Sequence, residues 1–85
     1  MGVDTQPANK MDELAVYITH RLGTVDFRKL SIIMYLSDLE HYLKHGSTIT
    51  GKRHVKREYG PEPDGLRDSV FRLLQEGRLV LASPE

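Results

Sequence analysis

Apolar residues recur at helical spacing through most of this chain, and the breaks in that spacing divide it into elements. Leu14, Ile18 and Leu22, with Val16 and Tyr17 beside them, predict a first helix over about 10–22. Asn9 stands where an N-cap accepts backbone N–H bonds, and Asp12 and Glu13 place negative charge in the first turn. Gly23 supplies the stop. Thr24 or Asp26 can cap a second helix over about 26–45 that closes at Gly46. From Leu30 to Leu36 this helix is apolar at every position but Ser31, and Ile32, Leu36, Leu39 and Leu43 form one stripe with Tyr35 and Tyr42 close to it. A helix apolar on most sides is expected to be a central spine with neighbours on more than one face. Leu36 and Leu39 are therefore expected in the core, where truncation to Ala costs about 2–5 kcal/mol.

Beyond Gly46 the period changes. Thr48-Ile49-Thr50 and His54-Val55-Lys56 are short, β-branched and partly alternating, which predicts an extended arm or small hairpin over 47–59. Pro61 and Pro63 are expected ahead of a helix, since proline is tolerated there and not inside. Asp64 is the expected cap of a third helix, with Leu66, Val70, Leu73 and Leu74 on one face, Phe71 beside them and Gly77 at its end. Arg78-Leu79-Val80-Leu81-Ala82 is a candidate strand. The expected fold is mainly α with a small β element, in a winged-helix-like order of helix, helix, extended arm or hairpin, helix and strand. Residues 1–9 read as a mobile tail, 10–82 as one domain and 83–85 as a short C-terminal tail.

Composition narrows the function classes. A chain of 85 residues buries about two-thirds of its unfolded surface, enough for one core and little room for a deep enclosed pocket. No apolar run approaches the roughly 18 residues that span a bilayer, and no signal-peptide pattern opens the chain. Gln6 stands where a myristoylation motif needs Ser or Thr. Cysteine is absent, which removes disulfides and thiolate metal sites. These features favour a cytoplasmic protein. Twelve basic and twelve acidic residues cancel, but not locally. Lys52, Arg53, Lys56 and Arg57 face a single acid, Glu58, within 51–60, whereas acids outnumber bases over 61–85.

The candidate chemistry is sparse. His41 and His45, four apart on the second helix, with Asp38 three before His41, form a conceivable metal set. Tyr42 occupies the position where a zincin helix needs its general base, and a polar helix C-terminus explains the histidines as well. No serine has a nucleophile-elbow context, and no phosphate loop or dinucleotide fingerprint is present. Catalytic, cofactor and metal residues are therefore assigned to none. The basic stretch Lys52-Arg53-His54-Val55-Lys56-Arg57-Glu58-Tyr59 has three readings. It is a charge-protected edge strand, an electropositive surface for an acidic protein partner, or a nucleic-acid contact with Tyr59 as a stacking ring.

One motif is more specific than its parts. Gly46 and Gly51 bracket Ser-Thr-Ile-Thr, and Tyr59-Gly60-Pro61-Glu62-Pro63 follows eight residues later. With Lys29-Leu30, Met34-Tyr35-Leu36, Asp38 and His41-Tyr42 before it, and Leu66, Leu73-Leu74 and Glu76-Gly77-Arg78-Leu79 after it, this order resembles the Panacea (SocA-like) antitoxin domain of prophages and toxin–antitoxin pairs. The resemblance covers about 27–81, roughly two-thirds of the chain. It implies a mostly helical domain, no catalytic residues, and function by binding and neutralising a partner toxin or effector protein. Lys52, Arg53, Lys56, Arg57 and Tyr59 are the candidate partner contacts, and Gly46, Gly51, Tyr59, Gly60, Pro61 and Pro63 the candidate structural motif. The alternatives are a winged-helix-like DNA-binding regulator using the basic segment, and a phage-encoded inhibitor of a host defence complex.

Overall fold

The computed structural model describes residues 9–23 and 25–82. The expected tails and the alternative cap Thr24 lie outside the described residues, apart from Asn9. Helix α1 spans Lys10–Leu22, α2 Phe27–His45 and α3 Leu66–Gln75, and strands β1 (His54–Arg57) and β2 (Gly60–Pro63) form a two-stranded antiparallel sheet. The protein is mainly helical with a small β element.

The N-caps expected for α1 and α2 form. Asn9 Oδ1 accepts the N–H groups of Met11 at 3.0 Å and Asp12 at 3.2 Å, and Asp26 Oδ1 accepts that of Lys29 at 2.8 Å. Gly46 closes α2 in the left-handed region at φ 79°, its N–H on Tyr42 O.

The hairpin differs from expectation. Its strands are 54–57 and 60–63, so it reaches past the expected 47–59 and both prolines lie inside β2. Register explains how the strand tolerates them. Asp64 N–H donates to Arg53 O at 2.7 Å, and hydrogen-bonded pairs alternate from there. Pro61 and Pro63 fall opposite Lys56 and His54, the intervening positions, where no N–H is needed for the ladder. The Pro61 carbonyl, turned away from β1, accepts Ser31 Oγ of α2 at 2.8 Å. Gly60 takes φ 131°, and a Cβ there would stand 3.7 Å from Ile32, so the turn both needs glycine and seats on α2. The pairing through Asp64 removes that residue from the cap of α3. Gly65 at φ 84° occupies the cap position, with no side-chain bond.

The expected terminal strand is also absent. Gly77 N–H on Leu74 O and Arg78 N–H on Leu73 O form a Schellman stop. The chain then runs back so that Leu79 is buried and Ala82 N–H reaches Val25 O at 2.8 Å. Val25 belongs to a linker between two helices, too short to carry a ladder.

The core is built by Met11, Ala15 and Ile18 of α1, Leu30 and Met34 of α2, and Leu66, Val70 and Leu73 of α3, closed by Val25 and Leu79. Helix α1 packs on both α2 and α3, and β2 lies on α2. The largest correction concerns α2. Its buried face is Leu30, Ser31, Met34 and Asp38, whereas Leu36, Leu39 and Leu43 are 54%, 40% and 75% exposed. Two polar residues take the inward face because each has hydrogen-bond partners there, and the expected core stripe turns outward. Tyr17 and Leu22 of α1, and Phe71 and Leu74 of α3, are exposed as well.

Stability should follow the observed core. Leu30→Ala or Met34→Ala is expected to cost about 2–5 kcal/mol, and Leu36→Ala or Leu43→Ala to stay within about 0.5 kcal/mol. Urea unfolding of the four variants checks this. Equal losses at Leu36 and Leu30 would place the helix in the wrong rotation.

Candidate protein-binding face and its polar supports

Asp38 organises the region that holds the candidate residues. It is buried on α2, and both carboxylate oxygens are used. Oδ1 accepts the N–H groups of Ile49 at 2.9 Å and Thr50 at 3.0 Å. Oδ2 accepts Thr50 Oγ1 at 2.6 Å and His54 Nε2 at 2.8 Å. Nε2 is therefore the donor nitrogen of the imidazole, and Nδ1 is buried without a hydrogen bond among the described residues. The His54 ring also meets Tyr35 edge-on, with centroids 5.3 Å apart. One side chain thus ties the arm after Gly46 and the first residue of β1 to the spine. Burial pushes the Asp38 carboxyl up, but the bonds from Thr50, His54 and Ile49 outweigh it and hold the group below the usual carboxylate range.

A second buried acid fixes the other end of the hairpin. Glu62 Oε1 accepts the Tyr59 hydroxyl, and Oε2 accepts Arg67 Nε of α3 at 3.0 Å. Arg57 Nε lies 3.5 Å from Oε1. Burial raises this carboxyl too, and the Tyr59 and Arg67 bonds with the two guanidinium charges bring it below its ordinary value. The Tyr59 hydroxyl is pushed up by burial and by the carboxylate it serves. The guanidinium of Arg28 sits 5.5 Å from the centroid of the Tyr59 ring, so ring and hydroxyl are both engaged in the fold.

The basic candidates divide. Lys52 and Arg53 are exposed in the segment leading into β1, and Lys56 and Arg57 are exposed on the strand. Lys56 and Arg57 line an open groove of about 570 Å³ with Tyr35, His54, Glu58, Tyr59 and Pro61. A smaller groove, shared through Tyr35 and His54, continues along α2 past Leu39 and Tyr42. Gly46 and Gly51 are turn positions, with φ 79° and 69°, and a Cβ at either would meet open space.

The histidine set is not assembled with Asp38. His41 Nδ1 stands 2.6 Å from Ser47 O, its ring leans on His45 at 4.5 Å, and the Asp38 carboxylate is turned to the hairpin. Among the described residues no group of three or more His, Cys, Asp or Glu could hold a metal ion, and no helix is long and apolar enough to cross a membrane. What the sequence reading missed is the outward face of α2, Leu36, Leu39, Tyr42 and Leu43. The available signal was the polar pair Ser31 and Asp38, seven apart on a different face from the leucines.

The Asp38 bonds carry a pH prediction. A folded-state pKa below the unfolded one contributes stability that is complete above the unfolded value, near 3.9, and is lost as pH falls through the folded value. Asp38→Asn is expected to cost about 1–3 kcal/mol at neutral pH, since Asn accepts through one oxygen only. The gap from wild type should narrow as the medium is acidified below about pH 4. Urea unfolding across that range measures it, and a gap independent of pH would show that the charge of Asp38 contributes nothing.

Compared with known proteins, the chain matches no family model, no curated protein and no solved structure at a significant level.

Proposed function

We propose that this chain is a non-enzymatic, cytoplasmic binding domain of the Panacea antitoxin type, which occludes a partner toxin or effector protein through the outer face of α2 and the adjoining hairpin. The observation that carries the reading is the contrast on α2. The helix is apolar around most of its circumference, but α1 and the hairpin cover only part of it, leaving Leu36, Leu39, Tyr42 and Leu43 open. Three leucines and a tyrosine on one exposed helix face are what a protein interface uses and a solvated surface does not need. The buried acids support the same reading from the other side. Asp38 and Glu62 are saturated by internal partners, as structural carboxylates are, and neither is presented to a substrate.

The competing DNA-regulator reading draws on the four exposed cations of the hairpin segment. It loses ground because Tyr59, its stacking ring, is held by Glu62 and covered by Arg28. Inhibition of a defence complex would use the same leucine face on a different target.

The test is capture from source-cell lysate with and without nuclease, using wild type and Leu39→Glu/Leu43→Glu. The expected result is one nuclease-resistant protein retained by wild type and lost by the variant, toxic when expressed alone and harmless with the domain. Retention of nucleic acid alone, lost when Lys52, Arg53, Lys56 and Arg57 become Ala, would replace the proposal with DNA binding.

A further inference from the structure

The open face of α2 has a spacing and a charge surround that specify its occupant. Ile32, Leu36, Leu39 and Leu43 follow one another by four, three and four residues, the spacing of a coiled-coil seam. Ile32 is half-covered by Gly60, so the free seam is the three leucines with Tyr42 on its hairpin side. A seam of this kind packs another helix, because knobs at three-four spacing fit the holes of a second helix and not an extended strand.

Two lysines without an ion-pair partner among the described residues stand near the seam, and the free acid Glu58 shares the groove of one of them. Lys29 continues the leucine row toward the helix N-terminus, and Lys56 stands on the hairpin flank beside Tyr35, while Arg28 is drawn to the Tyr59 ring. The acids nearby are mostly engaged. Asp26 caps α2, Asp38 is buried, and Glu40 is held by Lys44 at 3.1 Å; Glu58 at the hairpin turn is the exception.

We infer that the outer face of α2 receives an amphipathic helix of a partner protein, with leucine-type residues along its seam and acidic residues on its flanks. This rests on the protein-binding reading above and adds the partner's chemistry. The complex is a helix pair laid on the Leu36–Leu39–Leu43 row, with carboxylates reaching Lys29 and Lys56. Electrostatic complementarity selects the partner, and the leucines hold it.

The probe is a synthetic helical peptide of about three heptads, with leucines at the seam and Glu on the flanks, compared with the same peptide carrying Lys. Fluorescence anisotropy with the full chain reads the affinities, and sedimentation reads self-association. The Glu peptide should bind at least about tenfold tighter than the Lys peptide, with the advantage shrinking as salt rises. Leu36→Gln/Leu39→Gln/Leu43→Gln, on an exposed face, should keep its melting temperature and lose binding. Lys29→Glu/Lys56→Glu should reverse the preference toward the Lys peptide, a result that a merely structural role of these lysines would not give. Equal binding of both peptides, no binding of either, stable dimerisation that blocks the face, or binding of duplex DNA in place of the Glu peptide would each overturn the inference. If either variant fails to fold, the Glu-against-Lys comparison on wild type decides alone. A lysate partner lost with Leu39→Glu/Leu43→Glu but docking no acidic helix would leave the binding function standing and remove only this inference.

Discussion

The rotation of α2 about its own axis follows from Asp38. A buried carboxylate is unfavourable unless its lone pairs are met, and here a hydroxyl, an imidazole and two backbone N–H groups meet them. Those four donors come from Ile49, Thr50 and His54, residues far from Asp38 along the chain and close only because the arm folds back. The bonds therefore satisfy the acid and close the arm in the same step. Ser31, seven residues earlier on the same face, repeats the device by donating to Pro61. Two polar anchors fix which side of the helix receives the hairpin.

The leucines are outward as a consequence. A helix with apolar residues on several faces can bury only those its neighbours reach, and three helices with one hairpin do not surround it. Dispersion and desolvation alone would not decide against turning Leu36 and Leu39 inward, because Leu30 and Met34 would turn outward in exchange. That rotation would bring Ser31 and Asp38 out of register with the arm, stranding their partners, and an unpaired buried polar group costs about as much as a large apolar side chain gains. The polar contacts therefore select among apolar packings of similar worth.

Much of the fold was legible in the chain. Asn9, Asp26, Gly23 and Gly46 bound two helices because capping is local chemistry, decided within a turn. The hairpin was only half legible. Pro61-Glu62-Pro63 reads as a break, and its strand character depends on a register in which the prolines alternate with paired residues, a relation between two segments. The core face of α2 was illegible to a count of leucines for the same reason: Asp38 is an inward residue only with Thr50 and His54 in place. The terminal segment 78–82 has strand-like composition, but strand identity requires a partner of sufficient length, and Val25 offers one carbonyl. Of the site candidates, Gly46, Gly51 and Gly60 stand at turns with positive φ, Pro61 and Pro63 at the unpaired positions of β2, Tyr59 is bonded to Glu62, and the four cations are exposed.

A neutral chain can still present a charged face, and the accounting of acids shows how. Asp12 is bonded to Arg72 at 2.5 Å, Asp38 to the arm, Glu62 to Tyr59 and Arg67, Asp26 to a helix N-terminus, Glu40 to Lys44, and Glu76 lies near Arg72 and Arg78. Lys52, Arg53 and Lys56 have no ion-pair partner among the described residues, nor have the acids Glu13, Glu58, Asp64 and Asp68. Acids drawn into structural bonds have their fields directed inward, whereas free lysines act at range until salt screens them, over about 8 Å at physiological ionic strength. Net charge is therefore a poor guide to what this surface attracts. On the hairpin side of α2 the free cation Lys56 lies near uncovered leucines, the combination on which the proposed docking of an acidic helix rests.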